Sequence, residues 1–413
     1  MFNPLTSQSM RIAYLIPEFP GQTHIWMWRE ITHLRAWGTE IDIFSTKHPS
    51  PDVKAKHDFA DAQAYYLWKQ NIFNNIIDIF IAICWAITRP FSLYKAIKLA
   101  LTIDVEAPRW HVIALVPIAC ILARCCVARA IKHMHCHSCG NSAILAIMLK
   151  QLTGISYSLT LNANLEWWGG GMKEKFTNAA FIIAITKKLE QEVRLNYPLQ
   201  QNQVLLGRIG VDTEKWNPQL YESNHKTNNQ TFYILTVGRL HTSKGHDTLI
   251  QAVKCLVDAG KFVHLTIIGA GSELENLRTL AAQLEIFHLI EFTGTLSENQ
   301  IIQKMCQIDA FVLASHAEPL GVVYMEAMAM SVATIGTNAG GVPEIITDTQ
   351  DGLLVAPRDV IALTRALKLL IENPTLKMQL ARNGRASIIE RFDSRIGAAT
   401  LREKIINQIN TGA

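Results

Sequence analysis

The second half of the chain alternates in a way that leaves few folds open to it. Short apolar runs, "TFYILTVGRL", "FVHLTIIGAG", "LIEFTGTL", "IDAFVLAS", "SVATIGT" and "GLLVAP", recur between stretches with helical spacing. Apolar runs this short, separated by helix-length segments, are strands of a parallel sheet joined by crossover helices. A parallel strand is buried on both faces, so helices must cover the sheet above and below. The first half opens the same way. Arg11–Ile16 is a short apolar run ended by Pro17, Pro20 and Gly21. Ile25, Trp28, Ile31, Thr32 and Leu34 then follow at helical spacing, and Gly38 stops that helix before "EIDIFS". Two doubly wound parallel sheets in tandem are expected, with the ligand cleft between them.

The polar run "QLYESNHKTNNQ" is the best linker in the chain. It suggests an N-terminal domain over 1–216, a linker over 217–230 and a C-terminal domain over 231–390. The tail over 391–413, with "RFDSRIGAATLREKIINQIN", reads as an amphipathic helix that packs back towards the N-terminal domain. Hydrophobic content of 49% against 18% charged residues supplies large cores and excludes a disordered chain. Charge is uneven: residues 1–215 hold 22 Lys+Arg against 16 Asp+Glu, and residues 216–413 hold 17 against 19. No dense basic block interleaves with aromatics, so nucleic acid is not an expected partner.

Eight cysteines without disulfide-framework spacing, and a start without a charged, apolar leader, lead us to expect the cytoplasm. "HMHCHSCG" crowds His135, Cys136, His137 and Cys139 into five residues. Four ligands packed so closely are hard to aim at one ion, so no metal is expected and a polar strand end is the reading. Between Asn71 and Ala130, "IFNNIIDIFIAICWAI" and "HVIALVPIACILARCCVARAI" are strongly apolar, interrupted by Asp78, Pro117 and Arg124. Two readings stand: core helices, or helices that partly face an anionic membrane surface with Arg124, Arg129, Lys132 and His133 nearby.

Chemistry concentrates where strands end. "TFYILTVGRL" delivers Gly238 and Arg239, and Lys244 follows five residues later. A planar guanidinium fork and a compact ammonium suit a diphosphate. "IIGAGSE" places Gly269 and Gly271 after the next strand, but Leu274 stands where a dinucleotide fingerprint wants glycine, so a nicotinamide cofactor is not expected. In "SHAEPLGVVYMEAMAM", Pro319 holds Glu318 in an extended turn, and a helix opening near Gly321 points free N–H groups towards a ligand. Glu326, one to two turns on, can accept hydrogen bonds from two vicinal hydroxyls. Together these groups suit a sugar nucleotide.

"VGRL…SKG", "SHAEPLGVVYMEAMA", "TNAGGVPEII" and "DGLLVAP" strongly resemble the retaining GT-B glycosyltransferases of family four. The first half is similar more loosely, through "YLIPEFPGQTHIWMWRE" and "HMHCHS", to exopolysaccharide and colanic-acid group 1 transferases. The resemblance implies a GT-B fold of two Rossmann-like domains. It implies that Arg239 and Lys244 hold the donor diphosphate beside Gly238 and Gly269, and that Glu326 takes the ribose. Glu318 would contact the donor sugar with backbone groups of Leu320, Gly321 and Val322, and Gly21 would approach the diphosphate from the N-terminal domain. His135 and His137 would lie on the acceptor side, and Asn162 stands where the family usually has a histidine facing the reacting sugar. Also implied are a UDP- or GDP-sugar donor, a glycan or lipid-linked acceptor, no cofactor or metal, and a cytoplasmic, peripheral-membrane setting. A non-catalytic nucleotide-sugar-binding subunit and a sugar-nucleotide epimerase of similar fold are the alternatives.

Overall fold

A computed structural model describes residues 10–21, 25–49, 63–200, 202–221 and 230–411. The chain divides into two compact units, Met1–Arg208 with Gly397–Ala413, and Ile209–Ile396. The segment expected as a linker, 217–230, falls in the second unit, and its residues 222–229 lie outside the described ones.

In the first unit the described residues form seven strands: β1 (Met10–Glu18), β2 (Thr39–Lys47), β3 (Ala64–Tyr66), β4 (His133–Cys136), β5 (Ser156–Leu161), β6 (Ile182–Ala184) and β7 (Val204–Leu206). They are ordered β3-β2-β1-β4-β5-β6-β7, and every pairing is parallel. The alternation of β1 divides its side chains between two cores. Ala13 and Leu15 join one, with Leu145 and Leu149 of helix Asn141–Thr153. Ile12, Tyr14 and Ile16 join the other, with Ile31 and Leu34 of helix Ile25–Ala36. Leu401 and Ile405 from the end of the chain complete that second layer.

In the second unit the described residues form β8 (Phe232–Val237), β9 (Val263–Ile268), β10 (Ile290–Gly294), β11 (Ala310–Val312), β12 (Ala333–Thr337) and β13 (Leu353–Val355). Their order is β10-β9-β8-β11-β12-β13, again all parallel. Leu249, Ile250, Val253 and Leu256 of helix His246–Asp258 repeat at helical spacing and pack into that sheet's core. In each sheet the winding reverses at one place, between β1 and β4 in the first and between β8 and β11 in the second.

Three helices, Ile72–Ile87, Pro90–Thr102 and Arg109–Ala128, fill the stretch between β3 and β4. The middle one escaped the sequence reading, and it leaves the first at a bend of 117°. Arg109–Ala128 is long and apolar enough to cross a membrane, yet 44% of its apolar window is buried in the protein. Ala119–Ala123 and Cys126 of that helix belong to the core. Of the four cations expected near a membrane face, His133 is wholly buried and Arg129 lies over the Tyr65 ring at 4.0 Å. Arg124 is half-buried, and Lys132 alone of the four is exposed. Three of those four cations are therefore partly or wholly buried.

Candidate functional site

Where a doubly wound sheet reverses its winding, the loops after two neighbouring strands diverge and open a crevice at their carboxyl ends. β8 and β11 are such a pair, and their loops carry most of the residues singled out from the sequence. After β8 come Gly238 and an exposed Arg239, then the turn Thr242–Lys244 and Gly245, which opens helix His246–Asp258. Gly245 has φ +64°, and a Cβ there would stand 1.9 Å from the Ala314 carbonyl oxygen. Only glycine lets the β8 loop lie against the end of β11 in this way. Gly269, beyond β9, has φ +147° and presses equally close to the Gly238 carbonyl, 1.9 Å from where its Cβ would be.

The loop after β11 is buried and held from several sides. Tyr324 Oη donates to the Leu313 carbonyl at 2.7 Å, and Thr337 Oγ1 donates to the Ser315 carbonyl at 2.5 Å. The Gly341 N–H donates to the Glu318 carbonyl at 3.0 Å, and Gly340, at φ +57°, lies against the same oxygen. Leu320 is buried, Gly321 takes φ +90°, and Val322 begins helix Val322–Ala329. Glu326 sits one turn into that helix, 6% exposed.

The sequence assigned Lys244 to a phosphate and Glu318 to a sugar, with no link between them. The structure joins them: Lys244 Nζ lies 2.6 Å from Glu318 Oε2, with the Glu318 side chain 7% exposed and that of Lys244 16%. Ser315 Oγ donates to the same carboxylate oxygen at 3.2 Å. A contact across 74 positions leaves no local pattern in a sequence. The structure also adds two histidines. His246 is buried beside Gly238, and burial lowers its imidazole to about 4, so it is neutral at pH 7. His316, two residues before Glu318, lies 3.4 Å from Arg358 Nε and 3.3 Å from Thr248 Oγ1.

In the first unit the corresponding reversal lies between β1 and β4. Gly21 is buried three residues beyond β1, and the 22–24 segment after it lies outside the described residues. His135 is wholly buried within β4, its Nδ1 2.7 Å from Ser158 Oγ and its Nε2 3.0 Å from Thr160 Oγ1. Burial, reinforced by the neighbouring His137 and His133, lowers its imidazole well below the usual range. His135 thus spends both nitrogens on the neighbouring strand. His137, past the strand end, lies 2.8 Å from Glu30 Oε1, which also accepts from Tyr14 Oη at 2.8 Å. Glu30, His135 and His137 bring ligand-type atoms within 4.8 Å of one another. His135 is already committed to Ser158 and Thr160, and within the trio the hydrogen bond is that between His137 and Glu30. Asn162 follows β5 directly, and its Oδ1 is buried without a hydrogen-bond partner. A cavity of about 460 Å³ lined by Arg11, Arg35 and residues 38–42 opens at the opposite, amino-terminal ends of β1 and β2. It therefore lies at the other end of the first sheet from the loops that follow β1 and β4.

Residues 219–387 match the family model of glycosyl transferases group 1. The chain is 30% identical over 186 residues to a glycogen synthase of Mycobacterium tuberculosis, a match covering 45% of this chain and 44% of that one. It is 30% identical over 225 residues to the capsular polysaccharide biosynthesis glycosyltransferase CapM of Staphylococcus aureus, covering 53% and 59%. The chain thus spans about half the length of the curated relatives it matches. Across 95% of its length it superposes on the crystal structure of Anabaena HepE in complex with UDP and glucose, with a TM-score of 0.71, 15% identity and 99% of that chain covered. The two parallel-sheet units share the GT-B fold with these structures.

Proposed function

We propose that this protein transfers a hexosyl group from a UDP- or GDP-sugar to a glycan or lipid-linked acceptor, with retention at the anomeric carbon, in the synthesis of a cell-surface or extracellular polysaccharide. One observation carries the reading. Lys244 and Glu318 pair at the β8–β11 reversal, with Arg239 in the loop after β8 and Glu326 in the helix that follows β11, all inside the segment that matches the group 1 model. Two cations and two carboxylates at one strand edge suit a ligand with an anionic middle and hydroxyl-rich ends.

The division of labour follows from charge. As the glycosidic bond breaks, negative charge builds on the departing diphosphate, and Lys244 and Arg239 stabilise it there. In the free protein Lys244 is held by Glu318 at 2.6 Å. An arriving diphosphate takes over the ammonium, and the released carboxylate turns to the hydroxyls of the donor sugar. The acceptor attacks from the face the diphosphate leaves, and the diphosphate takes its proton, so no carboxylate nucleophile is required. Asn162 can orient a hydroxyl but accepts no proton at neutral pH, which agrees with leaving that task to the phosphate. Positive side chains supply the charge that a divalent ion would otherwise bring, and EDTA should leave activity intact.

The test is nucleotide release from UDP-glucose, UDP-galactose, UDP-N-acetylglucosamine and GDP-mannose, for wild type and Glu318→Gln. Release by the wild type that the substitution abolishes supports transfer. If all four donors raise the melting point and none turns over, the protein is a non-catalytic binder instead. Appearance of an epimerised nucleotide sugar would make it an epimerase.

A further inference from the structure

We infer that the helical hairpin Ile72–Thr102 embeds in the interfacial layer of an anionic lipid bilayer, a surface that goes beyond the transfer reading and does not depend on it. The helices are built inside out for a protein in water. Helix Ile72–Ile87 turns Asn75, Ala82 and Ala86 inward and leaves Ile72, Phe73, Ile76, Ile77, Phe80, Ile81, Ile83 and Ile87 exposed. Helix Pro90–Thr102 repeats the pattern, burying Ala96 and Ala100 and exposing Phe91, Tyr94, Ile97 and Leu101. The inward alanines belong to the main core of the first unit.

Small residues at the packing face and large aliphatic and aromatic ones outside is the arrangement of helices whose solvent is hydrocarbon. Water selects the reverse. Phe73 is 72% exposed, Phe80 67% and Phe91 84%, which is far from the scattered apolar exposure of an ordinary surface. Trp68, Tyr94 and Trp110, all exposed, add the amphipathic rings that settle at headgroup level.

Charge names the occupant. Over residues 72–102 the only basic residues are Arg89, Lys95 and Lys98, and the only acid is Asp78. Asp78 is neutralised by Lys69 at 2.5 Å. Lys95 and Lys98 are exposed on the same helix as Phe91 and Tyr94, where long stems can lie along lipid while the ammonium groups reach phosphates. Exposed Asp104 and Glu106 follow the hairpin before Trp110, but within 72–102 the lone acid is paired and the exposed charges are cationic, so this apolar face complements an anionic bilayer better than a protein surface. Helix Ile72–Ile87 has 16 residues, roughly 24 Å at 1.5 Å per residue, short of a bilayer core of about 30 Å. The hairpin therefore lies in the interface and does not span.

The experiment is flotation of the full chain with vesicles of phosphatidylcholine containing phosphatidylglycerol, and with phosphatidylcholine alone. Wild type should float with the anionic vesicles, and a high-salt wash should reduce but not abolish binding, because apolar insertion is not screened. Phe73→Ser/Phe80→Ser/Phe91→Ser, substitutions at exposed positions, should keep the wild-type melting point and lower partitioning at least about tenfold. Lys95→Gln/Lys98→Gln should lower binding to anionic vesicles and leave binding to neutral ones unchanged. The inference is overturned if wild type stays in the aqueous phase with both vesicles at low salt, or if the triple variant floats as wild type does. It is equally overturned if wild type without lipid sediments as a dimer that the triple substitution dissociates and no vesicle binding is seen. That result would give the face to a second copy of the chain.

Discussion

Replacing Lys244 by alanine tests the candidate site through stability before any substrate is known. The ammonium lies 2.6 Å from Glu318 Oε2. At an effective dielectric of about 20 the gross attraction at that distance is about 6 kcal/mol. Desolvation of both groups cancels much of it. Loss of one partner from a buried pair typically costs about 3–5 kcal/mol because the remaining charge is stranded. Lys244 keeps 16% exposure and Ser315 still donates to the carboxylate, so the lower end, about 3 kcal/mol, is expected. For a unit of this size that lowers the melting point by roughly 6–12 °C.

The decisive comparison is with Glu318→Gln. An uncharged amide needs no cation, so Lys244→Ala in that background should cost only about 1 kcal/mol, a coupling of about 2 kcal/mol in a double-mutant cycle followed by calorimetry. The same pair predicts a ligand effect. If a diphosphate must take Lys244 from Glu318, Glu318→Gln should bind UDP about tenfold more tightly by titration calorimetry while transfer is lost. Equal destabilisation by Lys244→Ala in both backgrounds, together with unchanged UDP affinity in Glu318→Gln, would show that the pair is not the element a ligand disturbs.

Glu326→Ala should weaken donor affinity by roughly 1.5–3 kcal/mol and change turnover little, since ribose hydroxyls carry no more charge in the transition state than in the ground state; separate KM and kcat measurements check this. Gly340→Ala should destabilise the second unit and impair transfer together, because φ is +57° there and the new Cβ would meet the Glu318 carbonyl at 1.9 Å; near-wild-type stability would mean the loop moves aside cheaply. His133 supplies a pH signature. Burial lowers its imidazole to about 3, so below pH about 6.5 the unfolded chain takes up a proton that the folded one refuses. Its contribution is whole above about pH 6.5 and falls by up to about 1.4 kcal/mol per pH unit on the way down to about pH 3. Denaturant unfolding should show that slope flattening in His133→Asn, and a wild type whose stability rises on acidification through this range would contradict it.

The site was legible in the sequence to the extent that it is made of strand ends. Gly238, Gly269 and Gly321 mark places where the backbone must turn or approach closely, and the structure finds close approach or positive φ at Gly269 and Gly321. Arg239, Lys244 and Glu318 follow β8 and β11, which the apolar runs had located to within a few residues. What the runs could not give was the order of the strands. The reversal between β8 and β11 brings residue 244 beside residue 318, and only spatial neighbourhood turns two separate ligand groups into one ion pair. His135 shows the opposite failure. A histidine at a strand end reads as a polar side chain open to an acceptor, but the facing Ser158 and Thr160, 23 and 25 positions away, take both its nitrogens.

The apolar stretch from 72 to 102 was illegible for a different reason. Periodicity separates apolar from polar faces, and here both faces are apolar, so the pattern carries no sign for inside or outside. The distinction lies in side-chain size. Alanine is on the inner face of both helices because it lets their backbones approach the core, and isoleucine and phenylalanine are outside, where nothing among the described residues covers them. A burial-based core assignment would have expected the large side chains inward, where each could remove the most surface from water at about 25 cal/mol per Å². Leaving them out forfeits that stabilisation in water, and the deficit is recovered only where the surroundings are themselves apolar. The same reasoning moves the electrostatic contribution from Arg124 and Arg129, which the fold half-buries, to Lys95 and Lys98, which stand among the exposed rings. Substituting glutamine at 124 and 129 should therefore leave vesicle binding almost unchanged, whereas the same change at 95 and 98 should reduce it.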